Sequence, residues 1–368
     1  MKLAFIFLLS LLFVNCKQSN EHTLSFAAAN EDWAMLNFLK VDSINPILLP
    51  SKQTFSCPVR KNSVMWEGKN VLNPCAVVKD GKVYMIYRAQ DKDMTSRLGL
   101  AVSYDGYHFS KQPRPVLYPD EDTLKKYEWK GGVEDPRIVE SEDGTYILTY
   151  TSYDGVIARL CLATSKDLVH WAKYGRVLSA DKYKNLWSKS GAIVAKQVGD
   201  KMIAAKVNGK YLMYFGDADL YMATSDDLVH WDIPENEETK KMVSVLHPRS
   251  GYFDSRLVEA GPFALLKDDG ILVIYNGSNA PNFNDASLPK FTYSAGQALF
   301  DKNIPYKLIA RTDSNFIHPD KPYEKTGEVN EVCFVEGLIH FKNKWFLYYG
   351  TADSRIAVAV RNEDEKRK

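Results

Sequence analysis

Ala163-Thr-Ser-Lys-Asp-Leu-Val-His-Trp171 and Ala223-Thr-Ser-Asp-Asp-Leu-Val-His-Trp231 are near copies, and Ala101-Val-Ser-Tyr-Asp-Gly-Tyr-His-Phe109 is a looser third. They recur at about 60 residues, a spacing that points to repeated structural units of roughly one four-stranded propeller blade. The frame extends to both sides of each copy. A small or kinking residue opens each unit, an apolar run follows, then a turn rich in Gly, Asp or Asn, then a second, aromatic-rich run. The first unit reads Asn73-Pro-Cys-Ala-Val-Val, Lys79-Asp-Gly-Lys, Val83-Tyr-Met-Ile-Tyr-Arg88. Equivalent frames begin at Asp135, Ser190, Gly261 and Glu336. Asp-Gly between two β-rich runs is a strong hairpin signal, and helical periodicity is largely absent. Five such units predict an all-β chain folded as a five-bladed β-propeller. A sandwich would use the same strand types but has no need for one unit five times.

The Asp-Leu-Val-His-Trp segments are expected to turn the chain after a third strand. Their Trp and His residues read as packing groups rather than catalytic ones, because they recur in each copy and one site would need them once.

The chain begins Met1-Lys2 and then runs apolar from Leu3 to Val14, ending at Asn15-Cys16. One basic residue before a short apolar core is the pattern of an export signal, too short for a stable bilayer span. A Cys directly after that core predicts lipidation at Cys16. Residues 1–16 are therefore read as a lipoprotein signal, 17–31 as a polar tether and 32–368 as one propeller domain. The expected location is the bacterial cell envelope, periplasmic or associated with the outer membrane, with the lipid anchor as the only membrane contact. The net charge of +1 gives no general attraction for nucleic acid. Cys57, Cys75, Cys161 and Cys333 lack zinc-ligand spacing and read as buried thiols. No metal-binding or phosphate-loop motif is present, so neither metal nor cofactor is expected.

In a propeller the first strand of each blade lines the central channel. Polar residues at the start of strand one and the end of strand two should then converge at one mouth. The strand-one starts hold Asn73, Glu134-Asp135, Lys189-Ser190, Glu259 and Glu336. The strand-two ends hold Arg88 with Asp91, Tyr153-Asp154, Lys206 with Lys210, Asn276 and Asp353, and Asp217 closes a further strand of the third unit. Tyr87, Tyr150, Tyr275, Tyr348 and Tyr349 stand beside them. Carboxylates with aromatic faces suit glycoside chemistry, in which an acid protonates the leaving oxygen and a second carboxylate attacks or activates water. For any one residue a capping or turn-stabilising role is an equal alternative.

Tyr87-Arg88, Gly131-Gly-Val-Glu-Asp-Pro-Arg137, Glu259-Ala-Gly-Pro262, Ile274-Tyr-Asn-Gly277 and Tyr349-Gly-Thr-Ala-Asp353 together resemble glycoside hydrolase family 130, in order along most of the chain. The resemblance implies a five-bladed propeller acting on β-mannosides by phosphorolysis or hydrolysis. It places Asp135 on the family's proton donor, and Arg88 and Asp353 on positions that hold the innermost mannosyl unit. Arg137, Lys189, Glu336 and Tyr349, with Asp91, fill out the expected substrate contacts. Three phosphate-facing cations of the phosphorylases appear here as Lys206, Leu257 and Asn276, with Lys206 and Asn276 kept as substrate contacts. Charge-assisted bonds contribute about 1.5–3 kcal/mol each, so such losses should weaken phosphate binding. Glu259 and Asp217 then suit an inverting hydrolase, whose two carboxylates stand about 6.5–9.5 Å apart. Asp217 stands where the resemblance implies Glu, one methylene longer. The expected activity is release of mannose from a β-mannoside oligosaccharide or glycan, with the β-1,2 linkage as the candidate. A phosphorylase forming mannose 1-phosphate and a non-catalytic glycan-binding propeller are the alternatives.

Overall fold

The computed structural model describes residues 31–363, so the export signal, Cys16 and nearly all of the tether lie outside the described residues. The described residues from Asp32 onward belong to one compact unit. It is nearly all β, with only short helical turns such as Lys125–Glu128 and Pro322–Lys325.

Antiparallel sheets follow one another along the chain. Asn70–Lys79, Lys82–Gln90, Ser96–Ser103 and Ser110–Lys111 pair in order, and so do Gly132–Glu140, Tyr146–Tyr153, Ala158–Ser165 and Ala172–Arg176. Leu257–Ala260 and Ala264–Lys267 together form one edge of a sheet continued by Gly270–Ser278, Tyr293–Phe300 and Leu308–Arg311. In the last sheet Cys333–Phe341, Lys344–Thr351 and Arg355–Asn362 are completed by Leu39–Lys40 from the start of the described chain. Bridges such as Ser96 to Gly132 and Val194 to Ala264 join one sheet to the next. Both Gly132–Glu140 and Cys333–Phe341 are buried along their whole length. Cys333–Phe341 is accordingly mostly apolar, since a strand covered on both faces has no solvent side to alternate with, whereas Gly132–Glu140 carries Glu134, Asp135, Arg137 and Glu140 into the interior.

The third sheet departs from the predicted frame. Ala192–Val198 pairs with Lys201–Ala204 over one half and with Lys210–Phe215 over the other. Lys206 and Lys210 belong to a hairpin that leaves the sheet between these two partners. The end of the second strand is therefore Phe215-Gly216-Asp217, and the sequence register that put Lys206 there was wrong. The turn of this hairpin is Asn208-Gly209, at φ +53° and +83°, and that pair was the hairpin signal the sequence offered.

The Asp-Leu-Val-His-Trp segments do turn the chain after the third strand. Ser165 Oγ accepts the Asp167 and Leu168 amides, and Asp167 Oδ1 accepts those of Val169 and His170. Leu168 and Leu228 sit at φ +70° and +68° with buried side chains, where the looser copy has Gly106. The Trp rings pack, but the histidines do not. His170 and His230 point to solvent and bond through Nδ1 to Asp167 and Asp227 at 2.7 Å.

A second recurring device was not visible in the sequence. In four sheets a buried tyrosine hydroxyl of the second strand donates to a carboxylate from the segment before the first strand, and a cation of the outermost strand closes the set. The sets are Tyr87–Glu67–Lys111, Tyr150–Glu128–Lys173, Tyr275–Asp254–Arg311 and Tyr349–Glu324–Lys40, with all contacts between 2.6 and 2.9 Å. These tyrosines hold sheets together. They do not form the aromatic ring expected at the channel mouth.

Candidate active site

The first strands reach the carboxylate cluster through a distortion. Register slips occur at Leu72/Pro74, Glu134/Arg137 and Val335/Gly337, and the displaced residues are Asn73, Asp135 and Glu336. Asn73 and Asp135 adopt φ +46° and +47°, and Ser190 of the third sheet adopts φ +61°. Asn and Asp tolerate this left-handed region better than most residues, and Ser less so. Such conformations cost of order 1–3 kcal/mol each and persist where surrounding structure fixes them. Here they turn three successive side chains toward one place.

Asp135 is the hub. It accepts Asn73 Nδ2 and Arg88 Nη1, both at 2.9 Å, and Lys189 Nζ lies 3.2 Å from its other oxygen. Arg88 also reaches Glu134 at 2.6 Å. Lys189 extends to Glu259 at 3.8 Å, and Ser190 Oγ donates a short hydrogen bond to Glu259 Oε1. Beneath them Arg137 donates to the carbonyls of Asp135, Ala260 and Gly261 and lies 2.8 Å from Glu336 and 3.9 Å from Glu259. Asp217 is half-buried and accepts Trp187 Nε1 at 2.6 Å.

These environments push the carboxyls apart. Burial alone would raise Asp135, but Arg88, Lys189 and Arg137 outweigh it and hold the group well below the usual carboxylate range. Burial raises Glu259 against the pull of Lys189, and the nearby Asp217 adds to the rise. Burial likewise raises Glu336 strongly against Arg137. Asp353 is pushed up to about 6 by burial, with Asp135 adding and Arg88 opposing. For Lys189, burial is overcome by Glu259, Asp135 and Asp217, so the ammonium keeps its proton. One site thus holds a carboxylate fixed in the ionised form and another that retains a proton more readily. Separation of titratable groups in this way marks acid and base partners.

The structure brings together Asp135, Glu259, Asp217, Arg88, Lys189, Arg137, Glu336 and Asp353 of the predicted residues. Four others have their side chains committed to contacts of their own, although Asn276 is the cross-strand neighbour of Glu259. Asp91 is buried against Arg97 at 2.9 Å and caps its own turn through the Asp93 and Thr95 amides. Both ends of the Asn276 amide bond the backbone of Val335, joining two sheets. Tyr349 donates to Glu324. Lys206 lies over the Tyr211 ring in the hairpin described above.

Three residues were missed. Ser190 was placed at a strand start but given no role. Trp187 is two positions before Lys189 in a polar loop, where a lone indole was the available signal. Tyr293 opens a third strand, a position the register did not consult. Burial raises its hydroxyl, with Glu259 adding to the rise. Trp187 and Tyr153 meet edge to face at 6.2 Å. Among the described residues, no group of three or more His, Cys, Asp or Glu is arranged to hold a metal ion.

A nearly all-β scaffold with clustered carboxylates, clamped cations and the Trp187–Tyr153 pair beside them has the makings of a carbohydrate-active protein. The family model described as beta-1,4-mannooligosaccharide phosphorylase matches residues 42–366, and the chain belongs to glycoside hydrolase family 130. A solved putative glycoside hydrolase from Parabacteroides distasonis is 45% identical, with a TM-score of 0.88 over 92% of this chain and 99% of that one. Another solved structure, 41% identical with a TM-score of 0.89 over 91% and 96%, carries the description "The GH130 family of mannoside phosphorylases contains glycoside hydrolases that target beta-1,2 mannosidic linkages in Candida mannan". A 1,2-beta-oligomannan phosphorylase from Thermoanaerobacter sp. (strain X514) is 30% identical over 333 residues, 88% of this chain and 96% of its own.

Proposed function

We propose that this protein is an inverting β-mannosidase, acting on β-1,2-linked mannosides, built as a five-bladed propeller and held at the cell envelope by lipid on Cys16. Glu259 donates its proton to the glycosidic oxygen as the bond to the anomeric carbon breaks. Asp217 takes a proton from a water that attacks that carbon from the opposite face, so mannose leaves with inverted configuration. Asp135 stays ionised and, with Arg88 and Asp353, binds the hydroxyls of the innermost mannosyl unit.

The observation that favours hydrolysis is the commitment of the cations. Arg88 bonds Glu134 and Asp135, Arg137 contacts Glu336, and Lys189 bridges Asp135 and Glu259. An incoming phosphate dianion would have to displace carboxylates to gain any of them. Likeness to hydrolases and to phosphorylases supports the substrate class alike, so the phosphate dependence decides between the reactions.

The test is incubation of β-mannosides of defined linkage with and without phosphate, with the anomer followed by NMR. Free α-mannose at the same rate in both is expected, and Glu259→Gln should abolish its release while the folded state persists. Mannose 1-phosphate formed only with phosphate would establish the phosphorylase. Binding without turnover would establish a glycan-binding protein.

A further inference from the structure

The segment 187–190 touches three of the carboxylates in turn. Trp187 reaches Asp217, Lys189 reaches Asp135 and Glu259, and Ser190 reaches Glu259. The segment is itself anchored. Ser188 donates its amide to the Ala158 carbonyl at 3.0 Å, and its Oγ accepts the Leu160 amide at 3.1 Å. The Gly216 amide donates to the Lys189 carbonyl at 2.9 Å, which ties this segment to the one carrying Asp217. Gly216 has φ +132°, and a Cβ there would stand 2.0 Å from the Asp219 carbonyl oxygen, so the chain can turn toward Trp187 only without a side chain. Despite this anchoring, the Trp187 side chain is 49% exposed, and the edge contact with Tyr153 leaves ring surface open at the mouth.

An indole with its N–H fixed on a reacting group and its face left open is suited to two tasks at once. We propose that Trp187 positions Asp217 through its N–H and offers its ring face to the apolar C–H surface of the sugar unit next to the cleaved bond. The proposal rests on the reading of Asp217 as the group that activates water. Asp217 is one methylene shorter than the Glu implied by the resemblance. The bond from Trp187 to Oδ2 holds this short arm in one orientation and leaves Oδ1 to take the proton from water.

The experiment compares Trp187→Phe, Trp187→Ala and Asp217→Asn in the full-length protein, with kcat, KM and the thermal transition measured on a β-mannotriose. Trp187→Phe keeps a ring and removes the donor. It should lower kcat about tenfold and change KM less than about twofold. Trp187→Ala should do the same and also raise KM about tenfold, through loss of the ring face. A structural role alone would lower the transition temperature of either variant without this split between kcat and KM. Trp187→Phe with unchanged kcat, beside an inactive Asp217→Asn, would overturn this inference and leave the hydrolase reading intact. An active Asp217→Asn would overturn the role given to Asp217, and the positioning of it by Trp187 with that role.

Discussion

Asp135 and Asp353 lie in one cluster and should answer to pH in opposite directions. Asp135 is held low by Arg88, Lys189 and Arg137, so its contribution to stability is present above the unfolded value of about 3.9 and is lost as pH falls toward its folded value. Asp135→Asn should therefore destabilise the protein at pH 7. Removing one partner of a buried pair costs about 3–5 kcal/mol, and here Arg88 keeps Glu134 while Lys189 keeps Glu259, so about 2–3 kcal/mol is expected. Urea titrations at pH 7 and pH 3 check this, because the difference should shrink at the lower pH. Asp353 is raised to about 6, so its contribution is present below the unfolded value and is lost as pH rises through about 6. Asp353→Asn should flatten the fall in the thermal midpoint between pH 4 and pH 7. Both residues were legible in the sequence because they end or begin strands in a repeated frame. Trp187 and Tyr293 were not, since they stand just outside the two positions at which that frame was consulted.

The tyrosine, carboxylate and cation sets explain why the predicted aromatic ring failed. A tyrosine towards the end of these second strands is plain in the sequence, but Glu67 and Asp254 come from loops and Glu128 and Glu324 from short helices, with no shared motif. Only the folded chain shows that each hydroxyl turns to one of them. Burial raises Glu128 even beside Lys173, so the charge is held in place at a cost that the ammonium offsets. Lys173→Met would leave that carboxylate uncompensated and should cost about 3 kcal/mol. Tyr150→Phe removes one hydrogen bond and leaves the ion pair, so about 1 kcal/mol is expected. Chemical denaturation of the two variants measures the ratio. Equal losses would show that the hydroxyl, and not the ion pair, fixes the outer strand to the second.

The last sheet depends on the beginning of the described chain. Leu39 and Lys40 pair with Val360 and Ala359, and Lys40 supplies the cation for Glu324 and so for Tyr349. Just upstream, Gln297 of another sheet brackets Met35, accepting its amide at 2.8 Å and donating to its carbonyl at 2.7 Å. Trp33, Met35 and Phe38 are all buried in the largest apolar cluster. These residues therefore lace two sheets together from one short segment. A protein beginning at Asp32 keeps every one of these contacts, and one beginning at Ile44 loses them all. Burial of a large apolar side chain contributes about 1.5–3 kcal/mol, so the shorter protein should lose about 5 kcal/mol or more, before the pairing and the Lys40 charge are considered. Differential scanning calorimetry of the two should show the shorter form melting well below the longer. The strand that Tyr349 anchors runs on to Asp353 at the mouth, so catalytic activity should disappear at the lower temperature in the same step. Activity that survives melting of the shorter form's first transition would mean that the site's sheets hold together without this segment.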